Sequence, residues 1–130
     1  MTKSLWARCL IAVGLLALPG LTLAHHGTAV YDANKYVKVQ GTVTRFEFTN
    51  PHAILAVAAK GANGTVVEWE GEMTSPNNLV RAGWSSRTFK SGDQVTMEGL
   101  GAKSGASLIW IKKLTRADGK VLPLGVGEEN

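Results

Sequence analysis

The chain has 130 residues, with 14 Lys and Arg against 10 Asp and Glu and a single cysteine. One cysteine excludes a disulfide framework, and the length fits one small domain. Two of the basic residues, Lys3 and Arg8, lie in a leader; without them the charge is about +2, too weak to imply a polyanionic partner, so nucleic acid is not expected.

The leader comes first. "MTKSLWARC" carries Lys3 and Arg8 and no acid, and it runs into the apolar "LIAVGLLALPGL" from Leu10 to Leu21. These are the charged and hydrophobic regions of a secretory signal. Pro19 and Gly20 end the apolar run, and Thr22 and Ala24 offer the small residues a signal peptidase reads. Residues 1–24 are therefore expected to be removed, leaving a periplasmic or secreted domain. A bilayer span needs roughly 20 apolar residues. This run is shorter and interrupted, so no membrane association is expected after cleavage. Cys9 lies inside the leader without the neighbours of a lipid-attachment site, so the exported domain carries no thiol and must be held by its core.

Residues 25–34 read as a flexible amino-terminal segment, residues 35–124 as the folded domain and residues 125–130 as a tail. "KYVKVQGTVTRFEF" alternates apolar and polar positions, with Val37, Val39 and Val43 on one parity and Phe46 and Phe48 on the other. That pattern predicts a first strand with a bulge near Thr44 and Arg45. Pro51 stops it. "AILAVAAK" predicts a second strand, and "GANG" reverses the chain, with Asn63-Gly64 suited to a two-residue hairpin turn. In the third strand Val67, Trp69, Gly71 and Met73 face one way. Glu68, Glu70 and Glu72 face the other, as a solvated charge row.

Ser75 as N-cap, Pro76 at the first helical position and Gly83 as terminator predict a short helix. "KSGDQVTMEGLG" predicts a turn at Gly92-Asp93 and a fourth strand with Val95 and Met97 inward. Gly99-Leu100-Gly101 reads as a loop, without the lysine and helix of a phosphate cradle. "ASLIWIKKLT" gives a fifth strand, "ADGK" a turn, and "VLPL" a short edge strand that tolerates Pro123. Three strands, a helix and two further strands are the order of an all-β, five-stranded Greek-key barrel of the oligonucleotide/oligosaccharide-binding (OB) type, with its helix between strands 3 and 4.

With these blocks in view, the chain resembles family 6152 of the domain-of-unknown-function series, exported bacterial proteins without an established activity. The resemblance is carried by "AHHG", close to the "AHHS" of relatives, and by "GTVTRFEFTNPH", "WEGEMTSPNNLVRAGW" and "KSGDQVTMEG". It runs from Ala24 to about Gly99. Gly27 stands where the resemblance implies serine.

The chain has three histidines: His25, His26 and His52. Cleavage after Ala24 would give His25 a free α-amine, and that amine with its own imidazole Nδ1 chelates one metal ion. His26 and His52 could complete the set. Amine and imidazole nitrogens favour copper(II), at the top of the affinity order for such ligands. The arrangement resembles the copper brace of some oxidative enzymes. In the opposing reading, His25 and His26 are a remnant of processing and His52 caps its turn by bonding backbone near Asn50. A copper(I) set would use Met73, Met97 and an indole, although core filling is the ordinary role of such methionines. Trp84 could stack on a sugar or peptide, which leaves an envelope protein- or glycan-binding module as the alternative to a metal binder. No nucleophile motif is present, because Ser85 and Ser86 lack flanking glycines, and an enzyme is not expected.

Overall fold

The computed structural model describes residues 27–125. Residues 1–26, which hold the expected leader, its expected cleavage site, His25 and His26, and residues 126–130 lie outside the described residues. A 3-10 turn, Gly27–Val30, leads into β1 (Tyr31–Glu47), β2 (Ile54–Lys60), β3 (Val66–Glu72), the helix α1 (Pro76–Arg81), β4 (Gln94–Ala102), β5 (Leu108–Arg116) and β6 (Val121–Leu122). The strand order is β3-β2-β1-β4-β5-β6, and a pairing of β3 with β5 turns five of the strands into a ring. That closing pair is parallel, and the other neighbours are antiparallel. The all-β architecture with one short helix between the third and fourth strands is as the sequence implies. No helix among the described residues is long and apolar enough to cross a membrane.

β1 serves two partners. Its first part pairs with β4 and its last part with β2, and Thr42 belongs to both registers, opposite Ala58 and Gln94. The change of partner needs a close approach at Gly41, where a Cβ would strike the Ala58 carbonyl and lie 2.8 Å from Val57 Cγ1. Just beyond, the expected bulge appears as a register shift between Val43 and Arg45. It moves the inward parity from Val39 and Val43 to Phe46 and Phe48, all of which pack in or against the core. The folded part begins earlier than expected, because β1 starts at Tyr31 and not at Lys35, and Tyr31 is buried.

The β2–β3 hairpin also differs in detail. Gly64 N–H donates to Gly61 O and Gly61 N–H to Thr65 O, with Gly64 at φ 80°. Ala62 and Asn63 are thus the central turn residues and Gly64 is the left-handed residue that follows, a three-residue loop and not a two-residue one. Asn63 Oδ1 accepts from Thr65 N–H, so the asparagine stabilises the loop from a different position. Ser75 caps α1 by accepting from Asn78 N–H, Pro76 follows it, and Gly83 at φ 93° ends the element. Gly99-Leu100-Gly101, expected as a loop, is strand, inside β4. Glycine suits position 99 because a Cβ there would meet the Trp110 carbonyl of β5.

Leu55, Met73, Leu79, Met97, Ile109, Ile111 and Leu114 are the largest fully buried side chains. Met73 and Met97 therefore fill the interior, as gap-filling methionines do. Gly41→Ala is expected to destabilise the fold by about 1–3 kcal/mol, the usual cost of forcing volume into a packed site. A lowered urea midpoint with unchanged slope checks this; an unchanged midpoint would show that the β1–β2 approach is not tight.

Candidate functional site

In β5, Ile109 and Ile111 point into the core, so Trp110 between them points outward. Its cross-strand neighbours are Leu100 of β4 and Glu72 of β3, and Leu100 in turn faces Tyr36 of β1. An outward indole on a strand is normally open to water. Trp110 is only 8% exposed. Two rings cover it: Tyr31, with centroids 6.0 Å apart, and His52, edge-on at 5.4 Å and 78°.

Glu72 joins these two rings. Tyr31 Oη donates to Glu72 Oε2 at 2.6 Å, and His52 Nδ1 bonds Glu72 Oε1. A carboxylate offers only acceptors, so Nδ1 carries the proton of this bond, and in the neutral ring the lone pair is on Nε2. Among the described residues Nε2 has no hydrogen-bond partner, and the His52 side chain is 29% exposed. The local chain geometry follows from the strands. Glu72 ends β3 opposite Ile54, the first residue of β2, and His52 lies two positions before Ile54. Just beyond, Met73 N–H donates to Ala53 O and Ala53 N–H to Thr74 O, holding the His52 and Glu72 segments side by side.

Burial raises the Tyr31 phenol above its ordinary value of 10.0, and the hydrogen bond to Glu72 and the charges of Glu72 and Glu70 act in the same direction. The phenol therefore stays protonated in the folded protein well into alkaline solution.

The structure brings His52 together with Glu72, Tyr31 and Trp110, none of which the sequence singles out as a site residue. Glu72 looks like its neighbours in the acidic row. Glu70 pairs with Arg45 at 2.8 Å and Glu68 accepts from Thr44 Oγ1 at 3.1 Å, both at the surface, where such pairs are worth little. Glu72 alone turns to a histidine. The available signal is the tryptophan on the polar parity of "LIWIKKL". His52 caps no backbone group near Asn50, as its Nδ1 is taken by Glu72. Among the described residues no three His, Cys, Asp or Glu side chains gather as a metal site.

Trp84 is 5% exposed, packed against Phe46 and Phe89, with Nε1 donating to Pro123 O at 2.7 Å. A ring covered on its faces cannot stack on a sugar or peptide, which corrects the expectation of a ligand platform there. The copper(I) set fails similarly: Met73 and Met97 are inside the core, whereas His52 and Trp110 meet on the outside.

A family model matches residues 13–108, well over half of the chain. The chain belongs to DUF6152, a family of unknown function. The DUF6152 span takes in His25, His26, Tyr31, His52, Glu72 and Trp84 and stops two residues before Trp110. Comparison with curated proteins finds no match.

Two measurements follow from this geometry. A phenol whose folded pKa is raised contributes stability below its unfolded value and loses it as pH rises above 10. The stability gap between the wild type and Tyr31→Phe should therefore be full at pH 7 and 9 and narrow at pH 11; urea unfolding at the three values checks it. Trp84→Ala should cost about 3–5 kcal/mol, as loss of a core indole does, and a small change in thermal midpoint would show instead that the ring is dispensable to the core.

Proposed function

We propose that this DUF6152 protein is an exported, periplasmic copper(II)-binding protein and not an enzyme. In this reading the signal is removed after Ala24, the His25 amine and imidazole chelate the ion, and His26 and His52 complete the nitrogen set. The scaffold is read as an OB-type barrel. The ring order β1-β2-β3-β5-β4, the parallel β3–β5 closure and the helix between β3 and β4 support that assignment.

The observation that carries the metal reading is the tether on His52. Its Nδ1 is held by a carboxylate and its Nε2 is left as the free donor, the arrangement in which outer-shell carboxylates orient metal-ligating histidines. Tyr31 bonds the other oxygen of the same carboxylate. Only residues 27–30 separate His26 from Tyr31. As a 3-10 turn they rise about 2 Å per residue, on the order of 8 Å in all. Ligand nitrogens must be deprotonated, so binding weakens in acid.

Protein produced through its own export signal, with its start verified by intact mass, should bind one copper(II) with a nitrogen-rich spin-resonance signature. His25→Ala, or an extra residue ahead of His25, should abolish the tight site. His52→Ala should weaken it roughly a hundredfold, through loss of an intramolecular ligand. Glu72→Gln should cost about 10- to 100-fold through loss of ring orientation. An affinity no better than that of a free His-His-Gly peptide, indifferent to His52, would overturn the assignment.

A further inference from the structure

We infer that the free edge of β1 from Tyr36 to Gln40 is a docking site for an extended acidic polypeptide segment, taken up as an added antiparallel strand. The inference is independent of the copper reading.

The rung at Val43 fixes the direction of the backbone groups. Gly92 N–H donates to Val43 O and Val43 N–H to Asp93 O, so the polar groups of Val43 point toward β4. Successive residues of a strand turn theirs to alternate sides. Val37, Val39 and Gly41 therefore also serve β4, where they lie opposite Gly99, Met97 and Val95. Tyr36, Lys38, Gln40 and Thr42 turn theirs the other way, toward β2. Thr42 finds Ala58 there, but β2 pairs with no earlier residue of β1; it ends at Lys60 and the chain turns back into β3. The N–H and C=O groups of Tyr36, Lys38 and Gln40 thus have no hydrogen-bond partner among the described residues. A strand edge in this state is a template for another strand, and from Tyr36 to Thr42 it runs about 20 Å.

The side chains along the edge state what that strand must carry. Tyr36, Lys38 and Gln40 are exposed and alternate with Val37 and Val39, which face the core. At the Gln40 end the edge opens into a cleft of about 640 Å³ lined by Gln40, Thr42, Ala58, Lys60, Val66 and Gln94. Tyr36 and Val66, at 59% and 61%, are the most exposed of the large hydrophobic residues. The charges along this path, Lys38 and Lys60, are both positive. Lys38 is 4.0 Å from Glu98, which lies nearer to Lys113 at 3.4 Å, and its side chain is 66% exposed. An incoming strand with an acid opposite Lys38 and a β-branched residue opposite Tyr36 makes two favourable cross-strand pairs. A second copy of this chain is the wrong occupant, because antiparallel pairing of the edge with itself through all three residues sets Lys38 against Lys38.

The probe is an acetylated and amidated peptide, Ser-Thr-Val-Glu-Val-Val-Ser, whose threonine, glutamate and last valine fall opposite Gln40, Lys38 and Tyr36. It is added to the metal-free, isotope-labelled processed protein and followed by amide exchange and shift titration. In the free protein the Tyr36, Lys38 and Gln40 amides should exchange at least about tenfold faster than those of Val37 and Val39; equal protection overturns the open edge. With the peptide bound, protection at those three amides should rise at least about tenfold. No protection at millimolar peptide, or protection elsewhere in the chain, overturns the docking site. The same peptide methylated on the glutamate nitrogen should not bind, and equal binding overturns strand addition. Replacing the glutamate by lysine should weaken binding at least about tenfold, and Lys38→Glu should reverse the order of the two peptides. Indifference to both charge changes overturns the acidic character of the partner.

Discussion

The ring of strands closes through a short parallel pair, in which Glu70 lies opposite Leu108, Gly71 opposite Ile109 and Glu72 opposite Trp110. Alternation then sorts these residues. Gly71 and Ile109 face the interior, where a Cβ on Gly71 would lie 2.5 Å from Ile111 Cδ1 and 2.6 Å from Met97 Sδ. Glu72 and Trp110 face out as neighbours. A slip of one residue in this pair would send the carboxylate into the core and the isoleucine to water, so the hydrophobic pattern of β3 and β5 specifies the register. The same register that seals the core therefore sets the acid beside the indole, and the β2–β3 pairing adds the imidazole.

An outward tryptophan creates a second constraint. Burying an aromatic ring of this size removes on the order of 150–250 Å² from water, at roughly 25 cal/mol per Å². The regularly paired part of the ring of strands does not supply that cover, because Trp110 is on its outer face. The amino-terminal arm ahead of Tyr36 supplies it with Tyr31, and His52 covers the edge. Polar chemistry and apolar cover are thus the same contact: the rings that shield Trp110 are the ones that bond Glu72.

Local features of the fold are legible in the sequence because each has a local cause. The parity change from Val43 to Phe46 requires a bulge, Ser75-Pro76 opens a helix, and Gly64 and Gly83 take up positive φ. The hairpin type is harder, since Asn63-Gly64 fits both a two-residue and a three-residue loop and only the pairing of Gly61 with Thr65 chooses. Glu72 is not legible. Alternation makes it equivalent to Glu68 and Glu70, and what separates it is its neighbours, Trp110 of β5 where Glu70 has Leu108, and His52 ahead of β2, contacts distant in sequence. Trp110 is half-legible, because Ile109 and Ile111 imply that it faces outward, but the arm that covers it carries no hydrophobic period. Trp84 misleads for the opposite reason: a tryptophan after a helix-terminating glycine looks presentable, and the packing of Phe46 and Phe89 around it is long-range.

The choice of glutamate at position 72 has its own logic. Its two oxygens receive two donors, the Tyr31 hydroxyl and the His52 ring. Glutamine has one acceptor oxygen and an NH₂ that only donates. It could accept from the imidazole and donate to the phenol oxygen, but as two neutral bonds without the charge assistance of a carboxylate. The carboxylate accepts from both, so Tyr31 and His52 are coupled through one charged group. Loss of either bond leaves the other partner less well held, which ties the position of Tyr31 to the orientation of His52 through the shared carboxylate.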